Sequence, residues 1–301
     1  MFDSIRRGFG FLGQAVDMAR KDGDLLKPTL YGMVADTLVT AIGVIPIIGV
    51  ALLPVSGENP IKQVLFFVFG ALLIFAQYAV AYIFSGMTAY LIYGFLAEGD
   101  GRMDKAWAII QRDWLDILSL AAASTLVKLV ENALRGNGRR RNPVGGIVAN
   151  IIDTVWTTAT FFILPAMVID DLHLGQALKR ATYIVKNNLL LVAVTEIGVS
   201  GVVGFIGFLL VLAALAIGGG IVFVFANLGS ELMLFVGIGL AVLIAGTLIA
   251  LISAFSSYVT TAYHTCLFIW ARGVEQAVTH GQSAQSVAAP AQLAAVLGGA
   301  A

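Results

Sequence analysis

Six titratable side chains fall inside long apolar stretches of this chain: Asp36, Lys128, Glu131, Asp153, Glu196 and His264. An ionisable group in hydrocarbon costs about 2.5–3.5 kcal/mol on insertion scales, so each needs a partner or a purpose. Two chemistries fit these types. Carboxyls and an imidazole spaced through a helical bundle could pass a proton or hold an ion. Alternatively they form buried pairs and helix-packing hydrogen bonds. Lys128 and Glu131, three residues apart, share a helix face and can neutralise each other. Asp36, Asp153 and Glu196 have no opposite charge one turn away, and Lys128 is the one basic residue within a span. Any carboxyl left over from that shared base must be protonated, face water or reach a loop arginine.

Other constellations point away from catalysis. Gly8-Phe9-Gly10 and Gly218-Gly219-Gly220 are not followed by the lysine–serine of a phosphate loop. No serine occupies a Gly-x-Ser-x-Gly elbow, and the three histidines lack metal-ligand spacing. A single cysteine, Cys266, excludes an internal disulfide framework or a thiolate cluster. The sequence therefore predicts no enzyme, no cofactor and no metal. With 18 basic and 18 acidic residues there is no global basic field for nucleic acid. The run Arg139, Arg140, Arg141 is too short for nucleic acid and suits anionic lipid headgroups.

Glycine gives a sharper pattern. Gly198, Gly201, Gly204 and Gly207 recur every third residue with Ser200 between, and Gly237, Gly239 and Gly246 offer a second smooth surface. Such stripes let backbones approach closely in membranes. They fit helix packing within one chain, a subunit interface or a pore lining.

These side chains sit in a chain of 301 residues that is 59% apolar and 12% charged, with mean hydropathy +0.91. Soluble domains run near 45–50% apolar and about 25% charged. The composition excludes an ordinary soluble globule, and the expected class is an all-α polytopic transmembrane bundle. Six stretches approach the roughly 20 apolar residues a span needs: 30–53, 64–96, 115–134, 144–169, 189–217 and 232–271. The third is weakened by Asp116, Lys128 and Glu131, so a re-entrant segment is its alternative. The last contains no proline and reads as one helix, about 60 Å long, projecting past the bilayer. Pro165 is expected to kink the fourth span, with Thr157, Thr158 and Thr160 near the freed carbonyl.

Three amphipathic helices are predicted between the spans: residues 1–28, with Phe2, Ile5, Phe9, Leu12, Val16 and Met18 near one side, then 103–114 and 174–187. Gly13-Gln14-Ala15-Val16 resembles Gly175-Gln176-Ala177-Leu178, and Ala106-Trp107 holds a comparable place. This suggests three copies of one amphipathic helix followed by a helical hairpin. Orientation by Lys/Arg bias puts the N-terminus inside, with twelve basic residues on that side and five on the other. The expected organisation is an N-terminal interfacial segment, 1–29, a six-span domain, 30–273, and a flexible alanine-rich tail, 274–301. The N-terminal segment has no apolar run before Leu30 and is expected to be retained.

The stretch Trp156, Thr157, Ala159, Thr160, Phe161, Phe162, Pro165, followed by an acidic exit and then Ala177, Leu178, Lys179, Arg180 and Ala181, resembles the signature of a bacterial and archaeal family of multi-pass membrane proteins of unknown function. The Lys128–Glu131 spacing resembles a basic-x-x-acidic element of the same family. The resemblance implies a six-helix domain over residues 1 to about 273, a bacterial inner membrane location and no established activity. The functional expectation is a non-enzymatic structural or assembly component, partnered by membrane lipid and by a second copy or a larger membrane complex. A channel or small-solute transporter using the intramembrane acids is the rival. A lipid-interacting, membrane-organising protein is the third reading.

Overall fold

The computed structural model describes residues 2–53, 59–136, 143–187, 189–283, 287–291 and 293, the side chains of 2–5, 7, 143, 185, 187 and 189–198 excepted. Arg139, Arg140 and Arg141 lie outside the described residues, and so do the side chain of Glu196 and the surroundings of Gly198. Eight α-helices are described: α1 (Phe2–Lys21), α2 (Lys27–Ala51), α3 (Pro60–Glu98), α4 (Met103–Arg135), α5 (Pro143–Asp170), α6 (Leu174–Asn187), α7 (Leu189–Ala226) and α8 (Glu231–Thr279). Six of them, α2, α3, α4, α5, α7 and α8, contain stretches long and apolar enough to cross a membrane. The chain is an all-α polytopic bundle.

Helix length decides the architecture. α8 has 49 residues and α3 has 39, or about 73 and 58 Å at 1.5 Å per residue, against a hydrocarbon core of about 30 Å. The surplus is used at one end. Three hairpins, α2–α3, α4–α5 and α7–α8, bring their bases together there. The continuous core joins Phe11 and Ala15 of α1, Met87 and Leu91 of α3, Ile110 and Ile117 of α4, Phe162 and Met167 of α5, Ala181 of α6, and Tyr258 and Phe268 of α8. The hairpin tips carry exposed Ile42 and Ile45 on α2, Phe67 and Leu72 on α3, and Phe223 and Phe235 on α7 and α8. Lipid is the medium in which such faces need no further cover.

The repeated alanines mark equivalent places. Ala15, Ala106 and Ala177 are each fully buried where an amphipathic segment meets the core. The middle segment is not a separate helix, however. Residues 103–135 contain no glycine or proline, and α4 runs through them as one unbroken helix, long and apolar enough to cross a membrane. α7 likewise continues past Ile217 through Gly218, Gly219 and Gly220 to Ala226, because Gly218 lies against Ala245 and Ala241 of α8 and has a helix to lean on.

The face expected for α1 is rotated. Phe11, Ala15 and Met18 are buried, while Phe9 is half exposed. The buried set is chosen by α8: Phe11 meets Tyr263 edge-on at 5.3 Å, and the Tyr258 hydroxyl donates to the Ala15 carbonyl at 3.1 Å. Phe9, on another side, is left half exposed. α8 also continues beyond residue 273 to Thr279. Past it, the Val287 carbonyl accepts from the Trp270 indole at 3.4 Å, and Leu293 is fully buried in the core. Pro165 is buried inside a helix that stays helical on both sides. The Thr160 hydroxyl goes to the Thr157 carbonyl at 2.8 Å, not to the Phe161 carbonyl one turn before the proline.

Candidate functional site

The polar centre of the bundle is a face of α8 made of serines, threonines and one histidine. Ser253, Ser256, Ser257, Thr260, Thr261, His264 and Thr265 follow at steps of three and four, the spacing that puts side chains on one side of a helix. Hydroxyls can survive there because each can donate to a carbonyl of the preceding turn, as Thr265 does to Thr261 at 2.7 Å. This face borders three cavities.

The smallest, about 80 Å³, lies between α3, α5 and α8 and is lined by Tyr82, Ser85, Thr160, Phe161, Thr261 and His264. His264 is 2% exposed. Its ring stacks on Phe161 with centroids 3.7 Å apart and planes 9° from parallel. Nδ1 lies 2.8 Å from the Thr260 carbonyl, and a carbonyl only accepts, so Nδ1 carries a proton. Beside this cavity the Tyr82 hydroxyl and the Trp156 indole N–H both reach Ser124 Oγ, at 2.7 and 2.9 Å. Three helices, α3, α4 and α5, are tied at that one oxygen.

A groove of about 310 Å³ lies between α2, α3 and α8, with Thr29, Asp36, Thr37, Ser85, Ser253 and Ser257 among its lining residues. Asp36 has no hydrogen bond or ion pair among the described residues. Ser85 lines both this groove and the His264 cavity. A second groove, about 440 Å³, runs between α7 and α8 past Ser200, Gly204, Gly207, Ser253, Ser256 and Thr260.

Among the described residues, a Cβ added at Gly204 in that second groove, or at Gly201 one turn before it, meets nothing within 4 Å, and one at Gly207 makes ordinary contact with Ser256 Oγ at 3.5 Å. Gly239 and Gly246 are equally open. The close approaches are elsewhere: Gly237 against Phe225, Gly218 against Ala245, and Gly32 against Phe84.

The remaining ionisable residues form a separate group. Lys128 Nζ lies 2.9 Å from Glu131 Oε2 and 3.8 Å from Asp153 Oδ1, joining α4 to α5. Glu131 is 1% exposed. Toward the same tip, Arg135 donates to Asn150 Oδ1 at 2.9 Å. Asp36 and Asp153 therefore belong to different helix groups.

At the opposite end, ion pairs clamp the helix bases. Asp170 on α5 holds Arg180 of α6 at 3.1 Å and Arg272 of α8 at 3.2 Å, and Arg180 reaches Glu275 at 2.8 Å. Arg112 bridges its neighbour Asp113, at 2.6 Å, to Asp171, at 3.1 Å. His173 Nδ1 lies 2.9 Å from Asp116 Oδ2, and this carboxylate raises the imidazole pKa above its ordinary value. Among the described residues no group of three or more His, Cys, Asp or Glu could hold a metal ion.

No protein-family model matches this chain, and no curated protein matches it in sequence.

Proposed function

We propose that this chain is a non-enzymatic integral membrane protein that self-associates, and that it serves as a structural or assembly component of a bacterial inner membrane with its N-terminus in the cytoplasm. The supporting observation is the groove between α7 and α8. Its lining includes Gly204, Gly207, Ser200, Ser253, Ser256 and Thr260, and among the described residues nothing lies within 4 Å of a Cβ added at Gly204. In lipid, helices associate through small residues that admit a backbone and through hydroxyls that bond across the contact. A lipid tail supplies neither, whereas a helix of a second copy supplies both. The resemblance of the Trp156–Pro165 stretch to multi-pass bacterial and archaeal proteins accords with this reading. A conduction path through intramembrane acids gains no support from Asp36 and Asp153, which lie in different helix groups.

Cysteine cross-linking tests the reading. In a Cys266→Ser background, Gly204→Cys should form an oxidised dimer in liposomes, and Phe67→Cys, on the exposed face of α3, should not. Equal cross-linking at the two positions, or none at residue 204, refutes the assigned interface.

Full burial of Ala15, Ala106 and Ala177 leaves other sides of the same amphipathic segments outward, where Phe9, Trp107 and Trp114 are about half exposed. These favour a second reading, contact with the lipid headgroup layer. Loss of vesicle-composition effects on Trp107 and Trp114 fluorescence would remove it.

A further inference from the structure

The groove around Asp36 has the chemistry of a ligand site. Its volume, about 310 Å³, is at the lower end of the roughly 300–1,000 Å³ typical of small-molecule sites. It is bounded by portions of α2, α3 and α8 that belong to candidate membrane spans, and Asp36 and Thr37 are exposed along it. A carboxyl in such a span calls for a partner. None is supplied from within: Asp36 makes no hydrogen bond or ion pair among the described residues, and Lys27, more than two turns back on α2, is held by Asp24 at 2.6 Å.

The hydroxyls around Asp36 sharpen the requirement. Thr29 Oγ1 donates to the Leu26 carbonyl and Thr37 Oγ1 to the Met33 carbonyl, each at 2.8 Å. Their protons are spent on their own helix, so the oxygens offer lone pairs. Across the groove, Ser85, Ser253 and Ser257 carry hydroxyls that can donate or accept, and Met33, Val80 and Phe84 form apolar wall. One carboxylate, several acceptor oxygens and no cation together suit a primary ammonium, which has three N–H donors to place. A neighbouring phosphate could take the serine hydroxyls, and an acyl chain the apolar wall.

We propose that the α2–α3–α8 groove binds the primary ammonium headgroup of an aminophospholipid, of the phosphatidylethanolamine type, with Asp36 as its counter-ion. The test is native mass spectrometry of the full chain released from nanodiscs containing equal amounts of phosphatidylethanolamine and phosphatidylcholine of the same acyl chains. The two headgroups carry the same charges, but the quaternary ammonium has no N–H to donate. The wild-type chain should retain one phosphatidylethanolamine in preference to phosphatidylcholine, and Asp36→Asn should lose that preference by about tenfold or more, as expected for a hydrogen bond to a charged group. Asp36→Ser, which removes the carboxyl with a smaller side chain, should lose it as well and serves if Asp36→Asn does not fold. Equal retention of the two lipids, or a preference unchanged in both variants, overturns the proposal. Displacement of the bound lipid by millimolar ethanolamine would assign the site to a soluble amine and would overturn the lipid assignment. None of these outcomes depends on self-association at the α7–α8 groove.

Discussion

The Gly101 amide donates a 2.7 Å hydrogen bond to Asp22 Oδ2, between residues 79 apart in the chain. The same carboxylate accepts from the Asp24 amide through Oδ1 at 2.9 Å. Asp22 therefore fixes the exit of α1 against the turn between α3 and α4, and so sets the first amphipathic helix on the bundle. Asp22→Ala should destabilise the chain by about 1.5–3 kcal/mol, the range for hydrogen bonds to a charged group. Asp22→Asn, which keeps one acceptor oxygen, should cost less. Thermal unfolding in detergent ranks the two; an alanine variant as stable as wild type contradicts the assignment.

The glycines separate into two experimental classes. Gly32→Ala and Gly237→Ala would drive a Cβ into the root of Phe84 and Phe225, and overpacking of this kind costs about 1–3 kcal/mol. Gly201→Ala and Gly204→Ala meet no described residue within 4 Å and should leave the stability of the isolated chain unchanged. Chemical denaturation at high detergent-to-protein ratio distinguishes these classes. Loss of stability in all four variants would mean that the α7–α8 groove is filled from within.

Breaking the ion pair between α4 and α5 should hurt more than deleting it. Lys128→Met leaves the carboxylate of Glu131, 1% exposed, without its nearest cation. Removing one partner of a buried pair costs about 3–5 kcal/mol, and partial exposure of Lys128 places this case toward the lower end. The double variant Lys128→Met, Glu131→Leu should recover most of the loss. A double variant no better than the single one would show that the charge itself was not the cause.

His173 supplies a pH signature outside the spans. Its pKa is raised chiefly by the hydrogen bond to Asp116 and then by that carboxylate's charge, so folding favours the protonated ring. The contribution is complete below the unperturbed value of about 6.5 and is lost as pH rises through the higher folded value. NMR titration of His173 should give a midpoint above that of a model peptide, and Asp116→Asn should bring it down. An identical midpoint in the variant would contradict the pairing.

How much of this was legible in sequence depended on what each signal reports. The spans were readable because hydropathy responds to apolar content over a whole helix, whereas the continuity of α4 through 103–135 was missed, because the switch from an amphipathic to an apolar pattern at residue 114 looks like an element boundary. The face of α1 was not readable either: Phe9 and Phe11 are two residues apart, and only contact with Tyr258 and Tyr263 decides which is buried. The hydroxyl face of α8 was present at regular spacing, but a search for costly ionisable groups passes over serine and threonine, which satisfy themselves on their own helix. Glycine spacing along α7 could not say whether Gly204 meets a neighbour or open space. The Asp22–Gly101 bond leaves no local trace.

Self-association is the central claim, and subunit counting tests it most directly. Single chains labelled at one site, reconstituted in liposomes and diluted with lipid over several decades, should photobleach in two steps at high density and in one step at low density. Gly204→Leu, which fills the groove, should shift that transition to higher density without unfolding the chain. One-step bleaching at every density, or a transition untouched by Gly204→Leu, would contradict the account.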